Sequence, residues 1–120
     1  MTTDDRRRAN RRGRGGETLA AALLRLKGYR ILARGYRVPA GEIDIVAARG
    51  RVIAFVEVKA RSNLDAALGS VGAPQRRRIV RAAEHFLAQC AGLRDREMRF
   101  DMIAIVPGRL PKHIADAWRP

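Results

Sequence analysis

The stretch GEIDIVAARGRVIAFVEVKAR, Gly41 to Arg61, constrains this chain more than any other. It alternates as two β-strands joined by a tight turn, yet it sets acids where a strand pair favours neutral groups. In EIDIVA, Ile43, Ile45 and Ala47 are expected on one face and Glu42, Asp44 and Val46 on the other. In FVEVKA, Val56, Val58 and Ala60 share one face, while Phe55, Glu57 and Lys59 share the opposite one.

Two registers bring the acidic faces together. A two-residue turn at Arg49-Gly50 sets Glu42 opposite Glu57, with Asp44 on the diagonal. A four-residue turn from Arg49 to Val52 sets Asp44 opposite Glu57 and Glu42 opposite Lys59. Directly opposed residues lie about 4.5–5.5 Å apart, where like charges repel. Both registers crowd carboxylates beside a single lysine, so the missing charge is supplied from outside the sequence, and a metal ion is the obvious candidate.

Lys and Arg outnumber Asp and Glu by 25 to 12, a formal net charge of +13, which favours a polyanionic partner such as nucleic acid. Arginine supplies nearly all of it, for only Lys27, Lys59 and Lys112 are lysines, and its planar fork suits phosphate. Cys90 is the single cysteine, which excludes an intramolecular disulfide and a cysteine-rich zinc site. No apolar run reaches the roughly 18 residues of a membrane span. The N-terminus lacks the apolar core of a secretory signal, so a soluble cytoplasmic protein is expected.

A 120-residue chain fits one domain, expected over residues 14–120 behind a disordered basic arm over residues 1–13. The arm carries Arg6, Arg7, Arg8, Arg11 and Arg12, and reads equally as a phosphate-seeking tail or a solvated extension. A first helix is expected over 15–27, with Leu19, Leu23 and Leu26 as its apolar stripe, Gly28 as terminator and Glu17 in a first turn that suits a carboxylate. A strand over 29–38, interrupted by Gly35, precedes the hairpin and makes a three-stranded meander. SNLDAALGSVGAP reads as a loop. A second helix, about 75–90, turns Ile79, Ala82, Ala83, Phe86, Leu87 and Cys90 inward and Arg76, Arg77, Arg78 and Arg81 mostly outward. REMRFDMIAIVPG gives a fourth strand and KHIADAW a short fifth element. The order is α/β, with a mixed central sheet flanked by helices.

Asp44, followed after thirteen positions by Glu57 and two further on by Lys59, spells D…ExK. This pattern, with its helix, meander, helix and strand, resembles the PD-(D/E)xK nuclease superfamily and its restriction-endonuclease-like α-β-β-β-α-β core. GEIDIV, FVEVKAR, GGETLAAALLRLKGYRIL, RRRIVRAAEHFL, RFDMIAIV and HIADAW together resemble the bacterial YraN family, and are similar to archaeal Holliday-junction resolvases.

The resemblance implies a metal-dependent endonuclease acting on DNA, with a preference for branched or structured forms, leaving a 5′-phosphate and a 3′-hydroxyl. Asp44, Glu57 and Lys59 would be catalytic; Asp44 and Glu57 would hold Mg²⁺ or Mn²⁺ with the Val58 carbonyl, and resolvase-like members add a helix-one glutamate, here Glu17. Lys59 would orient the attacking water or stabilise charge on phosphorus. Glu42 is either an accessory ligand through water or a partner of Lys59. At the start of the second helix, where YraN relatives usually carry lysine, this chain has Gln75, a neutral phosphate donor beside Arg76, Arg77, Arg78 and Arg81. Junction cleavage of the resolvase kind requires a homodimer.

The remaining candidates have blander readings. His85 and His113 lack zinc spacing, Asp101 in RFD is expected to pair with a nearby arginine, and Trp118 either packs the last strand or stacks on a base. A binding module that keeps the fold without cutting, or an acidic face that docks a basic partner, are the competing functions. Metal dependence separates the nuclease from both.

Overall fold

The computed structural model describes the backbone of residues 3–120 and side chains from Gly15 onward. The elements run α1 (Thr3–Leu26), β1 (Arg30–Val38), β2 (Gly41–Arg49), β3 (Val52–Ala60), α2 (Leu64–Leu68), α3 (Ala73–Gln89), β4 (Glu97–Ile105) and β5 (Lys112–Trp118), with a 3-10 turn at Ala91–Leu93. The arginines of the expected arm, residues 1–13, have side chains outside the described residues. Among the described residues no helix is long and apolar enough to cross a membrane.

The five strands lie in chain order, β1-β2-β3-β4-β5. Neighbours are antiparallel except β3 and β4, which are parallel. A parallel pair needs a crossover connection, and α2 and α3 provide it. This is the mixed sheet between helices, with the restriction-endonuclease-like order, that the sequence implied. One correction concerns SNLDAALGSVGAP: it contains α2, started by the Asn63 side chain accepting from the Ala66 N–H at 2.8 Å.

Each sheet face carries one core. On the α1 face, Ala20, Ala21 and Leu24 pack on Tyr29, Ile45, Ala47, Ala54, Val56 and Ile103. The apolar stripe of α1 therefore differs from expectation, for Leu19 and Leu26 are exposed and two alanines take the contact. Small side chains let the helix backbone lie close to the sheet. Helix α1 stops at Gly28 (φ +89°), whose N–H donates to the Arg25 carbonyl while that of Tyr29 donates to Leu24, the paired bonds of a Schellman ending.

On the other face α3 buries Ile79, Ala82, Ala83 and Phe86 against Ile43, Val46, Ile53, Phe55, Phe100, Met102 and Trp118. Trp118 is buried and stacks on Phe100 at 4.4 Å, so the packing reading of that residue holds. Gly41 lets α3 approach β2: a Cβ there would lie 1.9 Å from the carbonyl oxygen of Arg78. That contact anchors the N-terminal half of α3 beside the end of β2 that carries the acids.

Candidate active site

The hairpin takes the register that opposes Asp44 to Glu57, through a tighter turn than expected. Pairing runs from Arg49↔Val52 to Ile45↔Val56 across Gly50-Arg51. Gly50 has φ +58°, which suits the first position of a two-residue hairpin turn. The ladder ends at Ile45↔Val56. Beyond it, β2 stays paired with β1 as far as Val38↔Gly41, while β3 stays paired with β4 as far as Ala60↔Ile105. The acids therefore stand where the two middle strands part.

Asp44 enters that gap where the side-chain alternation of β2 changes. Gly35 on β1 has φ +59°, and the β1–β2 pairing passes from Arg34↔Ile45 to Tyr36↔Ile43 across it. Side-chain alternation slips there: Ile45 belongs to the α1-side core, but Ile43 joins Val46 in the α3-side core. This corrects the expected shared face of Ile43, Ile45 and Ala47. Between the two, Asp44 reaches sideways and its Oδ2 accepts the Val58 N–H at 2.8 Å. The carboxylate thus replaces a ladder carbonyl at the point where the backbones diverge.

Glu57 is buried, with 6 % of its surface exposed, and faces α3, where the Gln75 Nε2 donates to its Oε2 at 3.2 Å. Burial first, then a hydrogen bond with Asp44 and the charge of Asp44, push the Glu57 carboxyl up to about 9, against the smaller opposing pull of Lys59. At neutral pH the pair holds a proton. Gln75 was expected to touch phosphate; its amide instead holds the acid. The local signal was its place directly after Pro74 in the first turn of α3.

The other expected ligands are less close. Glu17 on α1 has its carboxyl raised by burial and then by Asp44, and its Oε1 stands 4.0 Å from the Arg34 guanidinium. Glu42 is exposed and pairs with Arg37 at 3.0 Å, directly across β1–β2. Of its two expected roles, pairing with Lys59 gives way to Arg37, because the β2–β3 ladder ends before Glu42 while β2 stays paired with β1. Lys59 is half-buried, with no carboxylate partner at ion-pair distance among the described residues. Among the described residues no three His, Cys, Asp or Glu side chains converge as a metal-holding group. Asp44 and Glu57 do converge, with the Val58 backbone between them. Two carboxylates and a carbonyl suit a hard cation that keeps most of its waters.

The arginines of α3 divide. Arg78 lines a hollow of about 310 Å³ with Glu42, Pro74, Gln75 and Ile79, next to the acid pair. Arg76, Arg77 and Arg81 line another on the opposite flank of the helix.

A second polar cluster escaped the sequence reading in part. Asp101, fully buried, accepts two bonds at 2.8 Å from Arg99, as expected, but also the His113 Nε2 at 2.8 Å and the Asp116 N–H at 2.9 Å. Lys27 donates to the His113 Nδ1, which leaves the proton on Nε2 for Asp101. Burial would raise this carboxyl, yet the bonds from His113, Arg99 and Asp116 outweigh it and hold it at about 2. Every atom of the acid is satisfied, so the cluster ties β4 to β5 and to the end of α1. His85 likewise meets the Tyr36 hydroxyl at 2.7 Å.

Comparison with known proteins adds the family. The family described as Uncharacterised protein family UPF0102 matches residues 16–105. A UPF0102 protein of Parvibaculum lavamentivorans is 54 % identical over 112 residues, covering 93 % of this chain and 84 % of the relative. One from Paramagnetospirillum magneticum is 54 % identical over 92 % of this chain and 89 % of its own length. One from Caulobacter vibrioides is 51 % identical, over 92 % of this chain and 88 % of the relative. The matched span contains both acids, Lys59, Gln75 and all of α3.

Proposed function

The chain belongs to the UPF0102 family, and from that premise we propose that it is a metal-dependent endonuclease of the PD-(D/E)xK type, hydrolysing phosphodiester bonds in DNA. The observation that carries this is the convergence of Asp44 and Glu57 where β2 and β3 part, with Glu57 buried and its carboxyl raised by that burial and by Asp44. A structural ion pair would have matched the acids with cations. Here two acids share a proton, an arrangement that a divalent cation relieves.

Mg²⁺ or Mn²⁺, when bound, supplies positive charge at the scissile phosphate and makes water a nucleophile at neutral pH. Asp44 and Glu57 would hold it through carboxylate oxygens, with the Val58 carbonyl and Glu17 of α1 as the further groups. The Val58 N–H fixes the Asp44 carboxylate, and Gln75 fixes that of Glu57, so both ligands are preorganised. Lys59, on the Glu57 face of β3, orients the water or meets the charge that develops on phosphorus. Water adds to phosphorus and the O3′ leaves with a proton, giving a 5′-phosphate and a 3′-hydroxyl. Net charge +13 provides the DNA affinity, which falls steeply with salt. Cutting of four-way junctions would use a two-fold pair of chains, and the cytoplasm is the expected compartment.

The test is incubation of wild type and Asp44→Asn with linear and four-way-junction DNA in Mn²⁺. Cleavage by the wild type, lost in the variant and in chelator, supports the reading. Tight DNA binding without cleavage would leave the non-catalytic binding module in its place.

A further inference from the structure

Helix α3 carries cationic groups on two flanks, and they serve two different hollows. One, toward β2, is the hollow beside the acid pair, with Arg78 and Gln75. The other, toward the end of β5, has a volume of about 490 Å³ and is lined by Arg76, Arg77, Arg81, Arg119, Val80 and Glu84 among others. Four guanidinium groups meet one carboxylate there. Arg77 and Arg81 are exposed. Arg76 is held in place, its Nε donating to the Val71 carbonyl at 3.1 Å and its guanidinium 5.5 Å from the Trp118 ring centre. Arg119 is steadied by Asp116 at 2.8 Å, an exposed pair that gives little stability and leaves further guanidinium donors free for a ligand.

The two hollows are separated by the body of the helix. A helix with its side chains is about 10–12 Å across. That width is close to the roughly 12 Å of a DNA major groove, which admits a helix between two phosphate backbones. An anion held only for its charge would need one flank. Arginines on both flanks, with the acids next to one of them, suit a ligand with two parallel phosphate paths.

Resting on the nuclease reading, we infer that the substrate is double-stranded, and that the Arg76-Arg77-Arg81-Arg119 hollow holds the backbone of the strand that is not cut. The strand at the acid pair runs past Arg78 and Gln75. Its complement lies across α3, in the hollow that Val80, Pro120 and the guanidinium groups line.

Binding of a fluorescein-labelled oligonucleotide, as single strand and as duplex, tests this in chelator, where nothing is cut. Wild type is compared with the double variant Arg81→Gln, Arg119→Gln. For duplex, the variant should bind on the order of tenfold more weakly at about 50 mM salt, with the slope of log K against log salt shallower by about 0.9 for each lost contact. Single-strand affinity should change less than about twofold on the same reasoning. Glu84→Gln, which removes the carboxylate from the hollow, should tighten duplex binding alone. Equal weakening of both DNA forms, or no change in either, overturns the second-strand assignment and leaves the nuclease reading standing. A wild type that binds neither form overturns both.

Discussion

Replacing Glu57 by Gln in metal-free protein tests the acid pair itself. Gln has the shape of a protonated Glu: its amide donates to Asp44 and its carbonyl accepts from Gln75, so the packing is kept. Ionisation is what changes. In the folded chain burial and Asp44 raise Glu57 from the ordinary 4.5 to about 9, so between those values folding takes up one proton. The neutral acid's contribution is fully present below the ordinary value and is lost as pH rises toward the folded one. One proton corresponds to a fall of about 1.4 kcal/mol per pH unit. Over about three pH units, from 5 to 8, the variant should gain up to about 4 kcal/mol on the wild type, starting from near equality. The assay is urea denaturation in chelator at each pH, followed by the fluorescence of Trp118, the single tryptophan, buried on Phe100. Comparing the two proteins at each pH cancels the histidines. A variant less stable than wild type at neutral pH, or a gap that does not widen as pH rises, would refute the shared-proton account and make Glu57 a member of a structural ion pair.

Other expectations follow from single contacts. Gly41→Ala puts a Cβ 1.9 Å from the Arg78 carbonyl and should cost about 2–4 kcal/mol in urea denaturation, by lifting α3 off β2. Asp101→Asn leaves Arg99 and His113 without their buried anion and should cost about 3–5 kcal/mol in the same assay. In the wild type that carboxyl is depressed to about 2, so its contribution is complete above the ordinary range near 3.8 and should fade only as pH falls toward 2. Mn²⁺ at about a hundred times its Kd should stabilise the wild type by about 2.7 kcal/mol, read as a rise in Tm, and should leave Asp44→Asn unmoved.

Much of this arrangement was legible in the hairpin. Period-two alternation gave both strands, and the crowding of Asp44 and Glu57 appeared in one of two registers read from the turn. The register was decided by Gly50, whose positive φ permits a two-residue turn. What alternation could not foresee was its own failure at Asp44. Gly35 on β1 marked an interruption, but only the two cores reveal that β2 changes its alternation between Ile45 and Ile43, moving Ile43 to the other core. The stripe of α1 was misplaced for a related reason: hydrophobicity favoured Leu19 and Leu26, whereas close packing selected Ala20 and Ala21. Glu42 found Arg37 because β2 leaves β3 there, and Gln75 found Glu57 because Pro74 starts α3 directly over the acid. His113 meets Asp101 across two strands, a contact that local sequence does not encode.

The metal centre is the claim on which the rest depends. Calorimetric titration of Mn²⁺ into wild type and Asp44→Asn tests it most directly. Saturable binding to the wild type with proton release is expected, since Glu57 must ionise to bind, and neither binding nor release in the variant. Absence of binding to the wild type, or binding that Asp44→Asn leaves intact, would contradict it.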